Sequence, residues 1–390
     1  MNAASSELIG KCVNAIDTPA LVVDLDKMEC NLHTMAAFAV KHQVMLRPHA
    51  KMHKSAELAK LQMAAGAVGV CVQKTSEAEA LVAGGVHNVF ISNEVIAPAK
   101  LARVAALTWV LARVGGTLAI CVDSIEGIKR LAASMDEGRL SSGTMSSIDV
   151  FIELDVGHNR CGVEPGLPAV ALALEIRKHP ALNFAGLQAY HGKAQHLRSA
   201  SDRHKAISNA IQSVRDTRAL IEDAGIKVGL VTGAGTGTAP LEAASKLYGE
   251  LQAGSYLFMD ADYAANEPDI DQPQFAHALF VKTQVISVHA GHVVCDAGHK
   301  SHAIDSGMPK VHAWGSDGAL DYSNGGDEHG ILKPAAGSTR LPELGSMLWL
   351  IPGHCDPTVN LHNEIIGVRG GLLEGMVERI ITVDARGCLT

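Results

Sequence analysis

Short apolar runs alternate with amphipathic helical patterns from residue 18 to about residue 260. Nine runs rich in Val, Ile and Leu recur there: PALVVDL, VMLRPH, VGVCVQ, NVFIS, TLAICVD, IDVFIELDVG, LNFAGLQAYHG, VGLVTG and ELQAGSYLFMD. Segments between them, such as SAELAKLQMAAGA and RHKAISNAIQSVRDTRALIEDAG, carry apolar residues at helical spacing, and the second ends on a glycine suited to a helix C-cap. This alternation predicts a parallel sheet, because each pair of parallel strands needs a crossover connection.

The number of runs favours a closed barrel, with the first run placed elsewhere. Nine runs are one too many for an eight-stranded β/α barrel, and an open sheet of nine strands would be large. After residue 263 the segments ALFVKTQVISVHAGHVVCDAG and EIIGVRGGLLEGMVERIITV alternate and turn like antiparallel strands. We therefore predict an α/β fold with an eight-stranded, TIM-like β/α barrel over 26–262. We also predict a C-terminal β-rich domain formed by 263–390, which the N-terminal strand within 1–25 crosses over to join.

Composition limits the classes of partner. The chain has 390 residues, a net charge of −8 and no basic stripe, so we expect neither nucleic acid nor a membrane surface as a partner, and a small molecule instead. The start, MNAASSELIGKCVNAID, lacks the pattern of a signal peptide, so we expect none. The longest apolar stretch contains Arg113 and two glycines, so we do not expect it to span a bilayer as one helix. The eight cysteines are scattered without a CxxC pair, which predicts reduced thiols in the cytoplasm.

Polar residues are concentrated after the apolar runs. In a β/α barrel the chemistry lies at the C-terminal ends of the strands, so these residues form the candidate site. They are Lys51, Gln73, Asn93, Arg160, Tyr190 and His191.

The stretch RPHAKMHKS, residues 47–55, holds two lysines and two histidines just after a predicted strand. It could be a solvated basic loop, but a lysine at a strand end inside a fold needs a specific reason. His49 and His53 have the i, i+4 spacing of a metal pair on a helix. That spacing counts for little here, because Lys51 lies where a strand passes into a loop.

The stretch TGAGTGT, residues 232–238, has the composition of a phosphate cradle. Its glycines let backbone N–H groups approach an anion closely, although a glycine-rich turn after a barrel strand can simply make the bend. It follows the seventh barrel strand when the count begins at the second run, where phosphate sites of such barrels often lie. A lysine on one strand and this cradle on another suggest pyridoxal phosphate. The candidate cradle residues are Thr232, Gly233, Gly235, Thr236 and Gly237.

The stretch GHCDPT in the predicted β-rich domain is a candidate metal site. His354 and Asp356 are two residues apart, so on an extended strand both side chains face one way and Cys355 faces the other. An imidazole and a carboxylate can hold one divalent ion and leave positions for water and substrate. The same spacing is common in purely structural positions.

Several motifs together resemble the D-threonine aldolase family. They are DTPALVVDLDKMECNL, LRPHAKMHKS, QKTSEAEALVAGG, ISNEV, RCGV, LQAYHG, GAGTGT, ELQAGSYLFMD and PGHCDPTVNLH, and they run in order from about residue 17 almost to the C-terminus. That family belongs to the alanine-racemase-like group of pyridoxal-phosphate enzymes.

The resemblance implies a cofactor role for several of these residues. Lys51 would carry pyridoxal phosphate, with Gln73 among the cofactor contacts. Arg160 would lie near the cofactor ring and its phenolic oxygen, and Tyr190 would face the pyridine nitrogen. Lys54 would then be solvated, whereas the two histidines of the 47–55 stretch would pack around the cofactor.

The resemblance also implies a metal and a base. His354 and Asp356 would hold a divalent ion, and His196 would lie near it and take the proton of a substrate hydroxyl. Related D-serine and 3-hydroxyaspartate dehydratases have cysteine where Asp356 stands, so the carboxylate favours the aldolases. Oxygen ligation favours Mn²⁺, with Mg²⁺ or Co²⁺ as alternatives to it.

We therefore expect a metal-activated aldolase that cleaves D-threonine and other D-3-hydroxy amino acids to glycine and an aldehyde. A 3-hydroxy-D-aspartate aldolase shares every one of these motifs, and the sequence does not separate the two substrates. A 3-hydroxy-D-aspartate dehydratase is a further alternative, although Asp356 favours an aldolase. A non-catalytic pyridoxal-phosphate carrier needs only the barrel, and an alanine racemase needs an acid/base in place of the metal. By resemblance, the protein would form a homodimer.

Overall fold

The computed structural model describes residues 7–142, 146–269, 271–312 and 319–390. Residues 1–6, which belong to the N-terminal stretch where we expect no signal peptide, lie outside the described residues. The strands are β1 Ala20–Asp24, β2 Met45–Leu46, β3 Val70–Val72, β4 Asn88–Glu94, β5 Thr117–Val122, β6 Ile148–Glu153, β7 Leu182–Ala189, β8 Leu230–Gly233, β9 Glu250–Leu251, β10 Leu279–Val288, β11 Val293–Cys295, β12 Lys310–Val311, β13 Leu320–Asn324, β14 Gly330–Pro334, β15 Met347–Ile351, β16 Glu364–Arg369 and β17 Met376–Thr382. The helices are α1 Leu25–His42, α2 Ala56–Ala64, α3 Thr75–Ala83, α4 Pro98–Arg113, α5 Ile125–Ser142, α6 Leu167–Ile176, α7 Ala200–Asp223, α8 Ala239–Ala244 and α9 Cys355–Val359.

Strands β2 to β9 form one parallel sheet in the order β2-β9-β8-β7-β6-β5-β4-β3. Its two ends meet where Val68 N donates to Leu46 O at 2.8 Å and Cys71 N donates to Pro48 O at 2.9 Å. The sheet therefore closes into the predicted eight-stranded barrel. Strand β8, whose last two residues begin the glycine-rich stretch, is the seventh strand of the barrel, as the count of apolar runs predicted.

The first apolar run lies in the second sheet, also as predicted. Strand β1 pairs antiparallel with β10 and parallel with β16. The second sheet has nine strands, with β13-β14-β11-β10-β1-β16-β17 as its main path, β15 beside β10 and β12 beside β15. Since α1 begins directly after β1, the chain passes from this sheet into the barrel at Leu25.

Helix α7 shows how a predicted segment folds. It covers the long segment predicted from helical spacing, and its buried positions include Ile207, Val214 and Ile221, at intervals of seven residues that repeat on one face. Gly225 follows its C-cap with φ of +75°, a conformation that glycine adopts without a steric penalty. Among the helices of the described ranges, none is long and apolar enough to cross a membrane.

The barrel interior combines apolar and polar layers. Phe90 and Phe151 pack with ring centroids 4.8 Å apart in a cluster with two buried cysteines. Elsewhere inside the barrel Thr232 Oγ1 donates to Glu250 Oε1 at 2.8 Å, and Gln252 Nε2 donates to Thr232 Oγ1 at 2.9 Å. Gln252 also lines the cavity described next, so this polar layer lies directly beneath the candidate site.

Candidate active site

A cavity of about 500 Å³ lies at the C-terminal ends of the barrel strands and is bordered by the loop that follows β15. Its walls come from both sheets, because the loop after β15 belongs to the β-rich region. The cavity brings together most of the residues predicted from the sequence: Lys51, Gln73, Asn93, Arg160, Tyr190, His196, Gly235, Thr236, His354 and Asp356.

Lys51 lies in a 3-10 helix, Ala50–Met52, that follows β2. Its Nζ is 2.6 Å from Asp356 Oδ2, and its side chain is 39% exposed toward the cavity. Burial alone would lower the pKa of Lys51, but the Asp356 carboxylate outweighs this effect and raises it. The lysine amine and the carboxylate are thus held against each other by charge.

Lys54 is buried, so the prediction that it is solvated is wrong. Its Nζ lies 3.0 Å from Glu77 Oε1, and the two side chains are 7% and 4% exposed. Glu77 also accepts hydrogen bonds from the backbone N–H groups of Gln73 and Lys74, at the start of α3. Lys54 therefore ties the loop after β2 to the loop after β3.

The two histidines of the 47–55 stretch face different surroundings. His49 lines the cavity, where its Nε2 is 3.0 Å from Gln73 Nε2 and 3.2 Å from Ser92 Oγ. His53 is fully buried, with Nε2 3.2 Å from Gln62 Oε1, and burial lowers its pKa to about 4. The expectation that both pack around a cofactor is therefore wrong for His53.

The glycine-rich stretch forms one wall of the cavity through Gly235 and Thr236. Within the described residues, neither of them donates its backbone N–H to a protein acceptor. A Cβ on Gly235 would come within 2.5 Å of Gln195 Oε1, so the backbone approaches its neighbours closely here. Free N–H donors beside a cavity fit the phosphate of pyridoxal phosphate.

Three other predicted cradle residues do not line the cavity. Thr232 and Gly233 are the last residues of β8, and the Thr232 side chain points into the barrel interior. Gly237 lies behind the wall, where its N–H donates to Gln195 Oε1 at 3.0 Å. The sequence prediction omitted Gly254 and Ser255, which line the cavity after β9. They could have been predicted from the sequence, because phosphate sites in such barrels use the loops after both the seventh and the eighth strand, and β9 is the eighth.

Arg160 and Tyr190 lie in the same cavity. The Arg160 side chain is 46% exposed, and its Nη2 is 3.9 Å from Glu153 Oε1. Burial raises the pKa of the Tyr190 phenol above its usual value, so this side chain is neutral at neutral pH. The guanidinium of Arg160 can donate to the phenolic oxygen of the cofactor, and the neutral phenol of Tyr190 can donate to its pyridine nitrogen. Both side chains therefore fit the positions that the resemblance assigns to them.

The HCD stretch is not an extended strand, contrary to the prediction. Strand β15 ends at Ile351, and His354 is the N-cap of the short helix α9. Its ring nevertheless faces Asp356, with Nε2 3.7 Å from Asp356 Oδ1. Cys355 points away as expected, since it is fully buried with Sγ 3.9 Å from Met259 O.

Asp356 and His354 fit a divalent metal ion. Asp356 Oδ1 is buried and has no hydrogen-bond partner among the described residues, which is costly for a carboxylate oxygen unless a cation contacts it. Burial alone would lower the pKa of His354, but hydrogen bonding to Asp260 and the charge of Asp356 raise it to about 9. Within the described chain, no group of three His, Cys, Asp or Glu side chains could hold a metal, so an ion bound here would have these two as its protein ligands.

His196 enters the cavity from the loop after β7 and is 48% exposed. Its Nδ1 is 2.6 Å from Asp262 Oδ2. The Tyr263 ring lies between the two histidines, with its centroid 5.8 Å from that of His196 and 6.1 Å from that of His354. Asp262 and Tyr263 were not predicted as site residues, because each meets its histidine only through the tertiary fold.

Comparison with known proteins assigns the family. The model "Alanine racemase, N-terminal domain" matches residues 23–262, and "Putative serine dehydratase domain" matches residues 278–368. A D-threonine aldolase from Arthrobacter sp. is 44% identical over 95% of this chain and 93% of its own length. The chain belongs to the D-threonine aldolase family. The resemblance inferred from its motifs is therefore confirmed.

Other members of this group agree with the assignment. The 3-hydroxy-D-aspartate aldolase of Paracoccus denitrificans (strain Pd 1222) is 40% identical over 97% of this chain and 95% of its own length. The crystal structure of D-threonine aldolase from Filomicrobium marinum matches with a TM-score of 0.91 at 44% identity, covering 98% of this chain and 99% of that chain. The alanine-racemase-like fold, a barrel followed by a β-rich region, is thus shared along nearly the whole chain.

Proposed function

We propose that this protein is a pyridoxal-phosphate-dependent, metal-activated aldolase that cleaves D-threonine and other D-3-hydroxy amino acids to glycine and an aldehyde. The contact of 2.6 Å between Lys51 Nζ and Asp356 Oδ2 carries the proposal. It brings the candidate cofactor lysine of the barrel against the candidate metal ligand of the β-rich region in one cavity. The relatives named D-threonine aldolase support the substrate class.

The barrel side of the cavity would hold the cofactor. Lys51 binds it covalently, and the free N–H groups of Gly235 and Thr236 hold its phosphate, while Thr232, Gly233 and Gly237 shape that loop. Arg160, Tyr190 and Gln73 surround the ring. When bound, pyridoxal phosphate supplies an electron sink for the substrate Cα.

The opposite side would hold the metal ion. His354 Nε2 and Asp356 are the ligands, and Mn²⁺ is the ion we expect, with Mg²⁺ or Co²⁺ as alternatives. An ion there supplies Lewis acidity to a substrate hydroxyl.

His196 would act as the base. Its Nε2 takes the proton of the substrate β-hydroxyl, directly or through one water, as the Cα–Cβ bond breaks and the aldehyde forms. The remaining fragment takes a proton at Cα and leaves as glycine. The cavity keeps His196 and His354 on the two sides of Tyr263, so base and metal ligand face one substrate position.

We extend the proposal to the organisation of the protein. The barrel domain comprises 26–262, and the β-rich domain comprises 1–25 with 263–390. Two copies form a homodimer, as the resemblance to the D-threonine aldolase family implies. All eight cysteines are unpaired, which supports a reducing compartment such as the cytoplasm.

A second candidate substrate is 3-hydroxy-D-aspartate. The relatives from Paracoccus denitrificans are named for this substrate, and Lys193 and His158 line the cavity as groups able to hold a distal carboxylate. A dehydratase acting on the same substrate is the related alternative. A non-catalytic cofactor carrier would have no use for the buried, unpartnered Asp356 oxygen.

Product analysis tests the proposal. The protein loaded with pyridoxal phosphate and Mn²⁺ is incubated with D-threonine, L-threonine and the isomers of 3-hydroxyaspartate. We expect glycine and acetaldehyde from D-threonine and no product from L-threonine. Glycine and glyoxylate from only the hydroxyaspartates would assign the second substrate, whereas oxaloacetate would assign a dehydratase. If none of these compounds gives a product, the proposed aldolase function is wrong and the non-catalytic cofactor carrier is the interpretation that remains.

A further inference from the structure

A short segment, 259–263, lies between the barrel and the loop that carries the candidate metal ligands. Ala261 N donates to Pro352 O and Asp262 N donates to Gly353 O, both at 3.0 Å. These acceptors directly precede His354 in the chain. The segment therefore lies beside the metal-ligand loop in a fixed register.

The first carboxylate of this segment contacts His354. Asp260 is fully buried, and its Oδ2 is 2.7 Å from His354 Nδ1 and 3.0 Å from Cys355 N. Its other oxygen accepts from Tyr263 N at 2.9 Å. Because a carboxylate only accepts, Nδ1 of His354 carries a proton in either charge state, and Nε2 faces Asp356, where a bound ion would displace the second proton.

The second carboxylate contacts His196 in the same manner. Asp262 Oδ2 is 2.6 Å from His196 Nδ1, and the other oxygen pairs with Arg198. Arg198 Nη1 also donates to Asn266 Oδ1 at 2.7 Å, so the guanidinium is held from a second side. Asp262 is 7% exposed, and although burial alone would raise its pKa, His196 and Arg198 lower it to about 2.

We propose that Asp260 and Asp262 are positioning residues for two histidines, the metal ligand His354 and the base His196. Each carboxylate holds the proton on Nδ1 and orients Nε2, in His354 toward the metal position beside Asp356 and in His196 toward the substrate. The inference rests on the proposed function for the roles of the two histidines. One segment thus sets the orientation of groups that come from different sheets, and it sets their separation from each other.

General chemistry supports this assignment. A metal-bound histidine usually donates its other N–H to a carboxylate or carbonyl, and loss of that partner typically costs about 10- to 100-fold in metal affinity or activity. A buried carboxylate behind a catalytic histidine fixes its tautomer in serine hydrolases, where the histidine and not the carboxylate moves the proton. In this protein the carboxylates that make these two kinds of contact, Asp260 and Asp262, are two residues apart in the chain.

Two matched variants separate these effects. Mn²⁺ alone is titrated into the cofactor-loaded, substrate-free protein, and cleavage of D-threonine is then measured at saturating Mn²⁺. We expect Asp260→Asn to weaken Mn²⁺ binding by about 10- to 100-fold and to recover most of kcat at saturation. We expect Asp262→Asn to leave Mn²⁺ affinity nearly unchanged and to lower kcat toward that of His196→Phe, a loss of roughly 10²- to 10⁴-fold, with little change in KM.

Arg198→Met is the matched control, because it removes the other partner of Asp262 and leaves the contact with His196. It should keep most of kcat. A loss as large as that of Asp262→Asn would show that Asp262 acts through local packing and would overturn its assignment. Unchanged Mn²⁺ affinity in Asp260→Asn would overturn the assignment of Asp260.

The tautomers can be measured without turnover. In protein with ¹⁵N-labelled histidine, the signal of His196, identified by its loss in His196→Phe, should report a proton on Nδ1. That proton should lose its fixed position in Asp262→Asn, and an unchanged signal would contradict the proposal. If the wild-type protein cleaves no hydroxy amino acid but these signals and Mn²⁺ affinities change as expected, the proposed function fails and the positioning roles stand.

Discussion

Two lysines three residues apart make similar ion pairs in very different surroundings. Lys51 Nζ lies 2.6 Å from Asp356, with side chains 39% and 14% exposed. Lys54 Nζ lies 3.0 Å from Glu77, with side chains 7% and 4% exposed. The first pair faces the cavity, and the second joins the loops after β2 and β3.

The two pairs differ in their access to the cavity. Both are held by a carboxylate from a distant part of the chain, so pairing alone does not distinguish them. The Lys51 pair borders a cavity, and Asp356 keeps one oxygen without a partner in the described structure. The Lys54 pair is enclosed, and Glu77 uses its oxygens to cap α3 as well. Access to the cavity therefore separates the two roles.

The largest expected effect is that of Lys51→Ala. This variant should lose the visible absorbance of lysine-bound pyridoxal phosphate and lower D-threonine cleavage by roughly 10³-fold or more, because the group that binds the cofactor is gone. Lys54→Ala should keep the absorbance band. Absorbance spectra and turnover of the two variants test this, and the reverse pattern would exchange the roles of the lysines.

A smaller effect is expected on stability from Lys54→Met. Removing one partner of a buried ion pair leaves Glu77 uncompensated, so the free energy of unfolding should fall by about 3–5 kcal/mol. The exposed Lys60 offers a matched control, and Lys60→Met should change stability by less than about 0.5 kcal/mol. Denaturant unfolding measures both.

The double variant Lys54→Met with Glu77→Gln sharpens this prediction. The glutamine still accepts from the start of α3 but carries no charge, so the pair of changes should recover part of the lost stability. A double variant that is even less stable than Lys54→Met would show that the charge of Glu77 is compensated by other groups.

The last effect concerns the pH dependence of stability and involves Glu242, a buried carboxylate that a hydroxyl contacts instead of a lysine. Thr238 Oγ1 donates to its Oε1 at 2.9 Å, and in the described part of the chain Oε2 has no partner. Burial raises the pKa of Glu242 from 4.5 to about 8. Between these values the unfolded chain binds fewer protons than the folded one, so the free energy of unfolding falls as pH rises, by up to about 1.4 kcal/mol per pH unit.

Glu242→Gln should flatten this pH dependence, since the amide does not titrate. Unfolding free energies of the wild-type protein and the variant at several pH values between 5 and 8 measure the difference in slope. Parallel curves would show that Glu242 is already ionised in the folded protein over this range and would contradict its raised pKa.

The sequence predicted those features that depend on local pattern. The alternation of apolar runs predicted the barrel, and the excess run predicted that β1 joins the second sheet. Lys54 was misassigned because its burial depends on Glu77 and on Ala385, whose N–H donates to Lys54 O at 3.0 Å. No local pattern reports such partners.

The candidate site shows the same limit. Lys51 and Gly235 could be found at strand ends, where barrels carry their chemistry. Asp260 and Asp262 could not, because their role depends on two histidines that reach them from other elements. The prediction of an extended HCD stretch failed because α9 begins at Cys355, where a five-residue helix has too few positions to show a periodic pattern.

Chelation of the protein tests the central claim, that a metal site on one side of the cavity activates a cofactor held on the other. Treatment with a chelator should abolish cleavage of D-threonine, and added Mn²⁺ should restore it. The absorbance of lysine-bound pyridoxal phosphate should remain largely intact, because Lys51 and the Gly235–Thr236 wall belong to the barrel. Undiminished cleavage by the chelated protein would contradict this claim and leave His354 and Asp356 with a structural role.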